Sequence, residues 1–389
     1  MRLLGGCAVL ALAACSGCDE ENAPRRIEPP SKHSSAAPSA APSARAARDG
    51  GVPELPLRRG VRRAMKLAPL RVHDPGVAIG KGRIGVLTDD ALVVHDATKL
   101  DEVARVPLHE PIDLVVTADG GLLAFDRLRT KWLMPQDTKP RAFPPAIIFP
   151  LSSVFVDRST PNHFGVVARG GKNFYEYALE PSPINLLLSY ATVSLDRYDG
   201  RLFVSLRDGS YLYSTETGFL RFFGAETKEE VSAGVSVPAD AFRLLPASRV
   251  DTLWFLTAEN AVLYRLVAGK LWKLRTVPLS AMALDADTDG IYLAVLELAQ
   301  PDNASWSMTL EVFDANGVRH VHEVFSISES LDAETWVRAL ERNRRLAVRD
   351  GETPLVAVGG PDELNVFRAD SGARVGTVPK APTGTRKTQ

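Results

Sequence analysis

The stretch RLFVSLRDGSYLYSTETGFLRFFG, residues 201–224, decides how the rest of the chain is read. It holds three short apolar runs, at 202–206, 211–213 and 219–223. Asp208-Gly209 separates the first two, and Thr217-Gly218 the last two. Asp-Gly between apolar runs signals a β-hairpin, because a type I′ turn needs positive φ at both central positions. A fourth run, 191–195, precedes these across another such pair, Asp199-Gly200. Together the four runs, from 191 to 224, read as one antiparallel meander.

The same unit recurs along the chain downstream of residue 75. Aligning the most apolar strand of each copy gives starts at Ile84, Leu122, Phe164, Leu202, Leu253, Ile291 and Leu355. The intervals are close to one another except for two longer ones, before Leu253 and before Leu355. Four-stranded units repeating every ~40–45 residues are the mark of a propeller. A single meander buries too little surface to be stable, whereas blades stacked round an axis bury both faces and leave only short edges. The expectation is an all-β, seven-bladed β-propeller over 76–379, with six or eight blades as alternatives. Between the sixth and seventh units, LDAETWVRALER at 331–342 carries Trp336 and Leu340 at helical spacing behind Asp332, and reads as a short helix, with an extra paired strand as the alternative.

Composition narrows the function classes. Apolar residues make up 45% of the 389, and the formal net charge is −1, which leaves no electrostatic case for nucleic acid. All three cysteines, Cys7, Cys15 and Cys18, fall at the extreme N-terminus, so neither a disulfide framework nor a catalytic cysteine is expected in the domain.

The N-terminus, MRLLGGCAVLALAAC, sets Arg2 before an apolar run at 3–14 that is too short to span a bilayer, which is the pattern of a secretory signal. Leu12-Ala13-Ala14-Cys15 resembles the lipobox of bacterial lipoproteins. That resemblance implies removal of residues 1–14 and attachment of a diacylglycerol, and usually an N-acyl chain such as palmitate, at Cys15. Two or three acyl chains anchor durably where one does so only marginally. Ser16, where aspartate would imply inner-membrane retention, implies an outer-membrane lipid anchor, periplasmic or cell-surface. Residues 15–53 are rich in Pro, Ala, Ser and Arg and read as a disordered tether, 54–75 as a basic lead-in segment, and 380–389 as a disordered tail.

The repeat units resemble the PQQ-like, YVTN and WD-like propeller superfamily. The resemblance rests on third-strand ends followed by a polar turn: HDATK at 95–99, YSTETG at 213–218 and FRADSG at 367–372. It implies fold and not chemistry. The plan of signal, tether and propeller is similar in architecture to the lipoprotein propeller subunit of the outer-membrane barrel-assembly machinery.

Candidate sites are few. Gly80-Lys81-Gly82-Arg83-Ile84-Gly85, with Asp101 beyond it, matches a dinucleotide fingerprint, yet a strand follows where that chemistry needs a helix, so it reads as a turn. Lys81 and Lys172 lie in glycine-rich loops without phosphate-loop spacing. Asp285-Ala286-Asp287-Thr288-Asp289-Gly290 alternates carboxylates before a glycine like the first half of a calcium loop, but Leu293 and Leu296 stand where later ligands belong. The expectation is a hairpin turn, with calcium as the candidate ligand of Asp285, Asp287 and Asp289. His320 and His322 flank Val321 and are expected on one face of an outer strand, two ligands short of a zinc site. No catalytic residue is assigned. The chain reads as a membrane-anchored binding or scaffold module for a protein or envelope ligand. The alternative is a propeller hydrolase or lyase with a metal ion in the central channel, which would need at least three metal-ligating side chains to converge there.

Overall fold

The computed structural model describes residues 76–379 apart from 145–150, 157–161, 169–172, 300–306, 327–344, 360–362 and a few single positions. The signal, the tether, the lead-in segment, the tail and the 331–342 helix lie outside the described residues, and so does Lys172.

Seven four-stranded antiparallel sheets follow one another. Blade 1 comprises β1 (Val77–Gly80), β2 (Arg83–Leu87), β3 (Ala91–Asp96) and β4 (Glu102–Pro107). Blade 2 comprises β5 (Pro111–Val116), β6 (Leu122–Asp126), β7 (Thr130–Leu133) and β8 (Arg141–Phe143). Blade 3 comprises β9 (Leu151–Val156), β10 (His163–Ala168), β11 (Asn173–Glu180) and β12 (Leu186–Ser194). Blade 4 comprises β13 (Tyr198–Ser205), β14 (Tyr211–Thr215), β15 (Phe219–Phe223) and β16 (Glu230–Ser236). Blade 5 comprises β17 (Arg243–Pro246), β18 (Thr252–Leu256), β19 (Asn260–Val267) and β20 (Lys270–Pro278). Blade 6 comprises β21 (Met282–Thr288), β22 (Tyr292–Ala299), β23 (Ser307–Asp314) and β24 (Arg319–Ser326). Blade 7 comprises β25 (Leu346–Arg349), β26 (Leu355–Gly359), β27 (Glu363–Arg368) and β28 (Arg374–Pro379). The chain is a seven-bladed propeller, all-β among the described residues.

The first strand of each blade is innermost and touches its neighbours' first strands round the whole circle, with β25 meeting β1 to complete it. The core divides accordingly into seven apolar clusters, one at each blade interface. Between blades 3 and 4 the packing is aromatic: Phe174 lies 5.2 Å from Phe203 and 5.2 Å from Tyr211, ring centre to ring centre. Second strands such as β6, LLAFD, and β18, TLWFL, are buried at every position because both of their faces meet a neighbouring blade. Among the described residues the ring closes without exchange of a strand. Val77, Ile79 and Ile84 of blade 1 share a cluster with Ala347, Leu355 and Val366 of blade 7, and each of these two blades is built from consecutive strands.

Three expectations are corrected. The run at 191–195 is the end of β12 in blade 3, not the first strand of the reference unit, and blade 4 starts at Tyr198. Asp199-Gly200 therefore lies inside β13, at an irregularity in its pairing with β14. Asp199 Oδ1 accepts there from Ser214 Oγ at 2.5 Å and from the Arg201 amide at 2.9 Å.

The Asp208-Gly209 hairpin is not type I′. Gly209 has φ 78° and Asp208 is not among the positive-φ residues. The Gly209 amide donates to Leu206 O and the Leu206 amide to Ser210 O, which makes a three-residue loop with glycine in the left-handed position. The same pair of bonds recurs at Thr117, closed by Gly120, and at Asp314, closed by Gly317.

The third correction concerns His320 and His322. The β23–β24 register slips between Val312 and Phe313, so His320 is an extra residue in β24 and the two imidazoles find different partners. Similar slips occur in the outer pairs of blades 1, 3, 4, 5 and 7. A bulge at this place bends the outer strand and increases its twist, which helps flat meanders pack radially.

Candidate binding site in the central channel

The seven first strands run in the same direction, so each contributes the same end to the same mouth of the channel. All first-to-second and third-to-fourth turns lie on that side, called here the turn side. The channel holds a cavity of about 650 Å³, within the range of small-ligand sites. Its walls are apolar at Val77, Ile79, Leu114, Leu244 and Leu346. Its polar lining comes mainly from Arg207, Arg243, Asp287, Asp289 and Arg349.

Local structure explains how these charges reach the axis. Arg207 opens the three-residue loop after β13, which projects it past the end of the strand. Its Nη2 donates to the Asp289 carbonyl at 3.0 Å, which ties blade 4 to blade 6 across the intervening blade 5 turn. Arg349 ends β25, and its Nη1 lies 3.4 Å from Asp289 Oδ2. Deeper in, Arg243 at the start of β17 pairs with Asp285 at 2.8 Å, with both side chains largely buried. Asp285 Oδ1 also accepts from the Ala286 amide at 2.9 Å. Asp287 Oδ2 accepts from the Val348 amide of blade 7 at 2.9 Å.

The acidic motif is therefore placed differently from the hairpin turn expected for it. Asp285 and Asp287 belong to β21, which continues to Thr288, and only Asp289 lies in the turn. Alternation along a strand spreads the carboxylates along the channel wall instead of converging them on a point. An ion drawing on all three would displace an arginine from Asp285, an amide from Asp287 and a second arginine from Asp289. Among the described residues, no three His, Cys, Asp or Glu side chains are grouped so as to hold a metal ion.

The glycine-rich fingerprint is the β1–β2 hairpin, with the Lys81 amide donating to Gly120 O of blade 2 at 2.8 Å. Asp101 sits in the turn before β4, its carbonyl accepting from the Asp96 amide at 2.9 Å.

His320 Nδ1 lies 3.0 Å from the Asp370 carbonyl of blade 7 and its Nε2 lies 3.4 Å from Asp314. His322 Nδ1 instead lies 3.0 Å from Glu311 Oε1. Glu311 also meets Arg319 at 2.9 Å and accepts from Ser280 Oγ at 3.1 Å. Beside it Glu297 is fully buried and accepts from the Ala281 amide at 2.6 Å. Burial first, and then the Glu311 charge, push the Glu297 carboxyl up to about 8. This acidic pair lies away from the channel, near the connection between blades 5 and 6.

Sequence reasoning missed the arginines. No motif surrounds them; the one available signal is a lone cation at one end of an apolar first strand, at the start in FRLL at 242–245 and at the finish in LAVR at 346–349. Guanidinium forks among apolar walls suit a ligand with a carboxylate or phosphate group and an organic body.

No protein-family model and no curated protein matches the chain. Among solved structures it is similar to a functionally unknown protein from Desulfotomaculum acetoxidans, at 14% identity and TM-score 0.50, over 77% of this chain and 95% of that one. It is also similar to the Cps50 (Swd1) β-propeller domain of Myceliophteria thermophila, at 12% identity and TM-score 0.52, over 75% of this chain and 96% of that one. Likeness at these identities shows the propeller fold and nothing about activity.

Proposed function

We propose that this chain is a lipid-anchored binding or scaffold module of the bacterial cell envelope, held at the outer membrane through Cys15 and offering its propeller to a protein or envelope ligand. A propeller is in general a binding architecture: a rigid ring that presents many independent turns on one side. One observation favours binding over metal-assisted hydrolysis at this particular channel. Each carboxylate of the acidic motif is already engaged by an arginine or an amide, through Arg243, Val348 N and Arg349. Such pairs stiffen the ring and fix the shape of the mouth; they do not poise a general base or a set of open ligands.

The anchor rests on the lipobox-like LAAC at 12–15, ahead of a proline- and alanine-rich stretch long enough to let the domain stand off a membrane. The test is Cys15→Ala, followed by fractionation of intact envelopes. The wild-type chain is expected with the membranes and labelled by a radioactive acyl precursor; the variant is expected unlabelled in the soluble fraction. A variant that stays wholly with the membranes would refute the anchor.

A further inference from the structure

Exposed large apolar side chains are unevenly distributed between the two sides of the ring. Val250 and Ile291 stand on first-to-second turns of blades 5 and 6, and Val267, Trp272 and Val318 at or beside the third-to-fourth turns of the same blades. Five more, spread over blades 1, 3, 4 and 7, are also on the turn side: Val103, Ile184, Leu186, Val231 and Val375. Among the described residues that leaves Leu128, Phe219 and Val324 towards the opposite side and Leu274 in mid-strand. Scattered single residues need no explanation, but five on two adjacent blades form a patch. Trp272 is 62% exposed, and indole is rarely left in water without use.

Hydrogen bonds join these turns into one surface. Asp251, next to Val250, pairs with Arg265 at 2.6 Å, and its carbonyl accepts from the Leu266 amide beside Val267. Arg275 of β20 donates to the Asn316 carbonyl at 2.6 Å, bringing the Val318 turn to the outer edge of blade 5. At the other end Ile291 is half exposed and also lines the channel cavity, so the patch runs into the mouth. The patch is basic as well as apolar: β20, KLWKLRTVP, carries Lys270, Lys273 and Arg275 and no acid.

We infer that the turn side of blades 5 and 6, with the adjoining channel mouth, is the docking face for a protein partner that presents an apolar projection flanked by acidic groups. This deepens the binding-module reading and rests on it. One feature selects a protein over a lipid surface. The mouth is concave, and a cavity of about 650 Å³ continuous with an apolar rim suits an inserted side chain or loop, not a flat bilayer. The basic edge strand supplies complementarity to an acidic rim on the partner and steers its approach.

The test uses the full-length lipidated chain in intact envelopes, with the photo-crosslinking residue p-benzoylphenylalanine placed singly at 272, 291 or 318, and at 128, 219 or 324 as controls. The turn-side positions are expected to trap the same protein band and the controls none. Lys270→Glu with Lys273→Glu is expected to lower that yield by about fivefold or more, by opposing an acidic rim. A solvent-extractable lipid adduct, a band at twice the chain's own mass, equal yields from both faces, or no adduct at any position would each overturn the assignment. Repeating the experiment with Cys15→Ala separates the two readings. A released chain that traps the same band supports both, and a membrane-retained chain that traps it sinks the anchor alone.

Discussion

Glu297 shows what one buried group contributes. It has no exposed surface, it sits beside Glu311, and its carboxyl is held near 8 instead of the usual 4.5. Arg319, His322 and Ser280 all turn to Glu311, which leaves Glu297 buried with only amide donors and so favours its protonated form. Between pH 4.5 and about 8 the folded chain then carries a proton the unfolded chain has released. Binding more protons in the native state makes stability fall as pH rises through this window, and the contribution is fully present only below it. Glu297→Gln keeps the shape and an acceptor for the Ala281 amide while abolishing the titration. It is expected to raise the urea midpoint at about pH 8 and to flatten the loss between about pH 5 and about pH 8. Equal losses in variant and parent over that range would show that Glu297 is not the group responsible. A carboxylate in this position has no visible mark in the sequence: Glu297 lies in LAVLELA, where alternation alone would turn it to solvent.

At the level of strands, one tight place is where β10 passes under an aromatic ring. A methyl group on Gly165 would overlap the ring of Phe174, which packs on Phe203 and Tyr211 between blades 3 and 4. Gly165→Ala must therefore push Phe174 out of that stack. The expected cost is about 1–3 kcal/mol in urea unfolding, with a changed near-ultraviolet dichroism from the displaced aromatics. An unchanged midpoint would mean that the ring has room to move. The same strand scale shows what the sequence reveals and what it hides. Apolar second strands announce every blade, because burial on both faces leaves an unbroken apolar run. The phasing of blade 4 is hidden because its outer strand β16, EVSAGVS, has only one fully buried residue and no pattern to mark it. Ala191–Leu195 passes for a first strand because its composition does not separate an outer strand from an inner one. β21 runs on into the expected turn, as far as Thr288, because its carboxylates find donors on neighbouring blades, an arrangement local alternation does not encode.

On the scale of the ring, the candidate site is illegible in the sequence for a topological reason. Arg207 and Asp289 are 82 positions apart and meet only because closure carries blades 4 and 6 to one axis. Closure itself rests on the seam between blades 7 and 1, where, among the described residues, no strand is exchanged and a shared apolar cluster joins the two blades. The other six interfaces join blades that follow one another in the chain, so each blade has its partner next to it in sequence. At the seam the two surfaces come from opposite ends of the domain, and loop-closure entropy opposes their meeting. The seam should therefore open first. Ile79, 1% exposed, belongs to the apolar cluster of that seam together with Ala347 and Ala357. Ile79→Ala leaves a cavity there, with an expected loss of about 2–5 kcal/mol. Hydrogen exchange of the variant should accelerate first in β1, β2, β25 and β26, with the aromatic interface of blades 3 and 4 the last to follow. Acceleration spread evenly over all seven blades would show that the ring opens only as a whole.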